Sequence, residues 1–258
     1  MTLATGKLIA RDLRRLGLDS GDTVLVHSSL SAVGSVPGGE QAVAAAIRTV
    51  VGSGGTIVVP AQSWQLCDPA YLKMAPEATW DQIRDSLPPY DKRWTPTRTM
   101  GRLAEAIRTH PEAVRSDHPH RSFAAWGPDA ETIVASHALD DPVGEGSPLA
   151  VLDAMGARVL LLGVSWDKCT ALHLGESRSG RELARVANGA PMVVDGKRRW
   201  VEFTEPAVDD SDFFAVGAAC EADQPDSVKR ERVGNAEGRL VDMPALVAFA
   251  AKWMAEHR

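Results

Sequence analysis

Apolar residues recur along this chain with two periods, and the period changes mark its elements. Ile9, Leu13 and Leu16 fall at helical spacing, so residues 3–17 are predicted to form an amphipathic helix closed by Gly17. Asp22 to His27 reads DTVLVH, a β-branched run that predicts a strand. Thr56 to Pro60 (TIVVP) and Val159 to Leu162 (VLLL) are short uninterrupted apolar runs, the pattern of strands buried on both faces. Further helices are predicted at Glu40–Val51, Met100–Thr109, Pro128–His137, from Pro148 onward, at Phe213–Cys220 and at Met243–Trp253, with another strand at Ser122–Trp126. Pro191–Asp195 and Arg198–Phe203 are short strands joined by Asp195-Gly196, a strong hairpin signal. Strands alternate with helices through most of the length, without an internal repeat, a low-complexity segment or a linker. The pattern predicts an α/β protein: a single three-layer α/β/α domain over residues 1–258, built on a central mixed sheet with antiparallel strands late in the chain.

Composition narrows the function classes. Of 258 residues, 44% are hydrophobic and 24% charged, the balance of a globular protein. No apolar run reaches the roughly 18 residues a membrane-spanning helix needs. The N-terminal stretch lacks the apolar core and cleavage site of a signal peptide. Cys67, Cys169 and Cys220 are an odd number with no close pairing, which predicts a reduced, cytoplasmic setting. The net charge of −6 argues against a nucleic-acid partner, which requires clustered Lys and Arg, and suits a cationic ligand.

The candidate chemistry concentrates in Val159–Glu176, VLLLGVSWDKCTALHLGE. An aliphatic strand ends at Gly163. A polar loop follows, and then a helix that places His173 and Glu176 three residues apart on one face. An imidazole beside a carboxylate, just past the carboxyl end of a strand, has the makings of a general base; the same spacing also suits a surface ion pair. A second candidate is the loop after the first strand, which runs Ser28-Ser29-Leu30-Ser31-Ala32-Val33-Gly34 into a helix. Hydroxyls, backbone N–H groups and a helix N-terminus can receive an anion there, or simply form a capped turn. Residues 61–99 hold Trp64, Tyr71, Trp80, Tyr90 and Trp94 among prolines at 69, 76, 88, 89 and 96, the composition of a binding loop or of a packing insertion. Ser147-Pro148 is a helix start, with Ser147 at the N-cap. Asp209, Asp210 and Asp212 open another helix and can either complement its dipole or dock ammonium groups.

Several of these patterns occur together in one order: HSSLSAVG at 27–34, TPTRTMG at 95–101, RSDHPHRSFAAWG at 115–127, GEGSPL at 144–149 and LLLGVSWDKCTALHLGE at 160–176. Val233-Gly234-Asn235-Ala236 and Arg239-Leu240 follow. The ordered set resembles the aminoglycoside 3-N-acetyltransferase family, antibiotic acetyltransferases that use acetyl-coenzyme A, and the resemblance runs from about residue 7 to 253. It implies that His173 is the catalytic base and Glu176 its orienting carboxylate. It further implies that Ser28, Ser29, Leu30, Ser31, Val33, Gly34 and Ser147 lie near coenzyme A, and that Asp68, with Trp64, lies on the aminoglycoside side. Cys169 departs from the family, which often has a polar residue such as Asn there.

On this reading His173 removes the amine proton during direct acetyl transfer, Glu176 stabilises the imidazolium, and Thr170 or loop N–H groups receive the oxyanion. Acidic residues (Asp68, Asp209, Asp210 and Asp212) receive the other ammonium groups, and no metal is expected. The alternatives from the residues themselves are an acyl-enzyme formed by Cys169 with His173, a metal site combining His173 and Glu176 with His118 or His120, and a binding module without turnover. Within the family, an acetyltransferase for a different, biosynthetic amine would use the same His173.

Overall fold

The protein is described by a computed structural model covering residues 3–258. Its centre is a seven-stranded mixed sheet of β1 (Thr23–Ser28), β2 (Thr56–Pro60), β3 (Val114–Arg115), β4 (Phe123–Trp126), β5 (Arg158–Leu162), β8 (Val228–Val233) and β9 (Ala236–Asp242). The strands lie in the order β3-β4-β2-β1-β5-β9-β8. The three apolar runs legible in the sequence, β1, β2 and β5, form the parallel centre: β1 pairs with β2 on one side and with β5 on the other. Antiparallel strands flank this centre on both sides, β4 and β3 beyond β2, and β9 and β8 beyond β5. The antiparallel strands expected only late in the chain are therefore joined by a pair from its middle.

Residue alternation along the central strands divides the core in two. Val24, Val26, Ile57, Val59, Leu160 and Leu162 face one helical layer. That layer contains α1 (Gly6–Leu16), α3 (Gly39–Val51) and α6 (Arg102–Arg108). Leu25, Val58, Val159 and Leu161 face the other. There lie α7 (Ala130–Val134), α8 (Pro148–Ala154), α9 (Ala171–Arg178), α10 (Phe213–Asp223) and α11 (Met243–His257). Helices cover both faces of a mixed sheet, as the alternation of strand and helix signals predicts.

Three segments differ from expectation in instructive ways. The Asp195-Gly196 hairpin is present but longer than its apolar stretches: β6 (Arg185–Val194) and β7 (Lys197–Pro206) pair over ten residues each and form a sheet of their own. Strand β8 (VKRERV) gives no apolar signal because it is a sheet edge, where charged side chains face water and discourage further pairing. Residues 61–99 are punctuated by proline as expected but contain two short helices, α4 (Pro69–Leu72) and α5 (Trp80–Ser86). This segment packs on the β6–β7 hairpin: the Tyr90 N–H donates to the Pro191 carbonyl at 2.8 Å, and Arg198 donates to the Leu87 carbonyl at 3.0 Å. The Ser-rich stretch after β1 also contains one helical turn, α2 (Leu30–Val33).

Candidate active site

A cleft of about 830 Å³ opens at the carboxyl ends of the parallel strands. From β1 the chain crosses by α3 to β2 on one side, while β5 lies on the other, so the strand order reverses at β1. In an open α/β sheet this reversal leaves a crevice in which ligands bind. His27 and Ser28 at the end of β1, Val59 and Pro60 at the end of β2, and Val164, Asp167, Lys168, Cys169 and Thr170 after β5 contribute to the walls. Gly163 makes the turn out of β5 with φ of 69°. A Cβ there would lie 2.6 Å from the Ala32 Cβ, so the close approach of the β5 turn to the α2 turn needs glycine.

Helix α9 carries the expected pair. His173 Nδ1 and Glu176 Oε2 are 3.1 Å apart. His173 lines the cleft, and its ring meets Phe213 edge-on with centroids 4.7 Å apart. Glu176 is 1% exposed and sits behind the imidazole. Its other oxygen, Oε1, accepts the Asp209 N–H at 3.0 Å and a guanidinium N–H of Arg258. A carboxylate bonded to Nδ1 fixes the imidazole orientation and leaves Nε2 for the ligand side.

Thr170 is the N-cap residue of α9, and its Oγ1 lies 3.3 Å from Nε2 of His27. Burial lowers the His27 pKa to about 3, so this imidazole is neutral at physiological pH. Ser28, Ser29, Leu30 and Ser31 line the cleft beside it, and the Ser29 and Ser31 hydroxyls are 3.0 Å apart. Val33 is fully buried beneath this turn, and Gly34 ends it with φ of 98°. Cys169 has no exposed surface, and burial pushes its thiol up to about 12. A thiol in that state holds too little thiolate near neutral pH to act as a nucleophile.

The opposite wall comes from the segment after β2 and the loop before β4. Trp64, Gln62, Tyr71 and Arg121 line it. The Arg121 guanidinium carbon lies 4.7 Å from the Trp64 ring centroid; its Nε donates to fully buried Glu205 at 2.9 Å, and its Nη2 donates to the Tyr71 hydroxyl at 3.2 Å. Of the expected acidic contacts, Asp210 lines the cleft. Asp68 does not: it caps α4 through the Ala70 N–H at 2.7 Å and is ion-paired with Arg84 at 3.0 Å. The Asp209 carboxylate accepts the Ser211 N–H, which lowers its pKa, and Asp212 binds Arg258. Ser147 is buried outside the cleft wall, where it accepts the Leu149 N–H and donates to the Gly144 carbonyl. His118 and His120 are buried with His137 and Phe203, also outside the cleft wall.

Sequence reading did not single out His27, Gln62, Arg121, Phe213 or Arg258. His27 ends an apolar strand and Phe213 begins an apolar helix, so both look like core residues. Arg121 and Arg258 carry no local signal, because their partners are distant in sequence.

The chain matches known proteins over most of its length. A sequence model of the family described as aminoglycoside 3-N-acetyltransferase matches residues 25–255. The SPbeta prophage-derived aminoglycoside N(3')-acetyltransferase-like protein YokD of Bacillus subtilis (strain 168) is 44% identical over 252 residues, covering 96% of this chain and 92% of its own. Its crystal structure superposes with a TM-score of 0.95 at 42% identity, over 100% of this chain and 95% of that one. The structure of AAC-IIIb in binary complex with CoASH has a TM-score of 0.88 at 30% identity, covering 99% and 97% of the two chains. That of AAC-VIa bound to sisomicin has a TM-score of 0.87 at 30% identity, covering 100% and 99%. Matched over most of its length by the family and by relatives well above 30% identity, the chain belongs to the aminoglycoside 3-N-acetyltransferase family of acyltransferases.

Proposed function

We propose that this protein transfers the acetyl group of acetyl-coenzyme A to the 3-amino group of an aminoglycoside, with His173 as general base. The observation that carries the reading is the His173–Glu176 pair, 3.1 Å apart at the wall of the cleft. The amine nitrogen attacks the thioester carbonyl carbon as His173 Nε2 takes its proton. The tetrahedral intermediate then collapses, the carbon–sulfur bond breaks, and the imidazolium returns the proton to the departing thiolate. Glu176 stabilises the imidazolium while it exists. The Thr170 hydroxyl, or N–H groups of the Ser28–Ser31 turn, receive the oxyanion.

Ser28, Ser29, Leu30 and Ser31 form the coenzyme A side of the cleft, and the complex of AAC-IIIb with CoASH supports acetyl-coenzyme A as cosubstrate. Trp64 and Asp210 form the aminoglycoside side, and the sisomicin complex of AAC-VIa supports an aminoglycoside as the acceptor. Direct transfer is favoured over an acyl-enzyme by the burial of Cys169.

The test is to incubate purified protein with acetyl-coenzyme A and a panel of aminoglycosides and to follow thiol release. Rapid release, with product mapped to the 3-amino position, supports the reading. A second reading has one observation in its favour: the cationic Arg121 lines the same cleft as His173, which suits a hydroxyl or anionic group on a different amine. Coenzyme A binding without release toward any aminoglycoside would select that reading.

A further inference from the structure

We propose that Arg258 is a positioning residue for acetyl transfer, clamping Glu176 against His173 from behind. The inference rests on His173 being the general base. Glu176 is buried, and an ionised carboxylate out of water needs both charge compensation and hydrogen bonds. Oε2 is committed to His173, so Oε1 alone anchors the group to the rest of the protein. The Arg258 guanidinium supplies the charged contact to Oε1, and the Asp209 N–H supplies the neutral one.

Arg258 is itself held in place. Its Nε donates to Asp212 Oδ2 at 2.8 Å and its Nη2 donates to Oδ1, a two-pronged contact that fixes the plane of the guanidinium. Nη2 also donates to the Asp209 carbonyl at 2.8 Å. The Asp212 hydrogen bonds push the guanidinium pKa further up, so the cation is permanent. Lysine could supply the charge but not this forked geometry. The aspartates at the start of α10 therefore serve the base: Asp212 orients Arg258, and the Asp209 backbone bonds both Arg258 and Glu176.

Arg258→Gln should lower kcat by about 10- to 100-fold, the scale of a small misplacement of a catalytic group, with KM for acetyl-coenzyme A changed by less than about threefold. A purely structural role would lower the amount of folded protein but not kcat per folded molecule. The decisive measurement is the double variant with Glu176→Gln. If Arg258 acts through Glu176, Arg258→Gln adds little to the loss already caused by Glu176→Gln; if it does not, the two losses multiply. Arg258→Lys should recover part of the activity. If Arg258→Gln does not fold, Asp212→Asn decides, because it loosens the fork without touching Glu176: a smaller kcat loss that disappears in the Glu176→Gln background supports the proposal, and an unchanged kcat overturns it. His173→Ala is run alongside. Full activity in His173→Ala removes the general-base reading and this inference with it. Loss in His173→Ala with normal kcat in Arg258→Gln removes the inference alone.

Discussion

The Nε2 atom of His27 and the Oγ1 atom of Thr170 lie 3.3 Å apart, although 143 residues separate them in the chain. The contact joins the end of β1 to the start of α9 across the crevice where the strand order reverses. Because burial keeps His27 neutral, it is an imidazole–hydroxyl contact rather than an ion–dipole one. It holds the Thr170 side chain at the mouth of the helix that carries His173. Thr170→Val, which keeps the shape and removes the hydroxyl, should lower kcat by about 10²–10³-fold, the scale of one lost oxyanion donor. A kcat within a few-fold of wild type would assign the oxyanion to backbone N–H groups instead.

His173→Ala removes the base while leaving the Ser28–Ser31 turn intact. Steady-state turnover should fall by about 10²–10⁴-fold. Titration calorimetry with coenzyme A should give an affinity close to that of the wild type.

Cys169 lies four residues before His173, yet its thiol is buried and pushed up to about 12. Cys169→Ala should keep most of the activity, and brief exposure of the native protein to iodoacetamide near neutral pH should leave turnover intact. Trapping of an acetylated protein, with ping-pong kinetics, would reverse this expectation.

Burial also makes the fold acid-sensitive. It lowers the pKa values of His120 and His137 to about 4 each, mainly by desolvation. The unfolded chain takes up these protons near pH 6.5, but the folded one only near 4. Their contribution to stability is therefore complete above about pH 6.5. It is lost as pH falls toward 4, at about 1.4 kcal/mol per pH unit for each histidine. Urea unfolding between pH 7 and 5 should show stability falling by at least this slope, because burial lowers the His27 and His118 pKa values in the same direction, and His137→Gln should flatten it by one proton. A native protein equally stable at both values would place these histidines in contact with water.

Helix α9 is held close to α11 at Gly175. A Cβ there would lie 2.6 Å from the Ala250 Cβ and 3.2 Å from the Val247 carbonyl oxygen. Gly175→Ala should therefore force the helices apart and lower stability by about 1–3 kcal/mol. Because His173 and Glu176 flank this position, thermal melts should show the loss together with reduced kcat. Unchanged melting would mean that α11 yields without cost.

The parts of this protein that depend on neighbours in the chain are legible in its residues. β1, β2 and β5 are legible because strands buried on both faces must be continuously apolar, and the Asp195-Gly196 turn is legible because few dipeptides allow it. His173 and Glu176 are legible because helical spacing alone puts them on one face. The rest depends on contacts made in three dimensions. Edge strand β8 carries charges where it faces water, so it has no apolar signal. The aspartates at 68, 209 and 212 resemble ammonium sites in sequence, but folding brings Arg84 to Asp68, Arg258 to Asp212, and the Asp209 backbone to Glu176. His27, Arg121 and Arg258 meet partners 143, 84 and 82 residues away. Such contacts arise where strand ends and loops converge at one edge of the sheet, and no local period along the chain records that convergence.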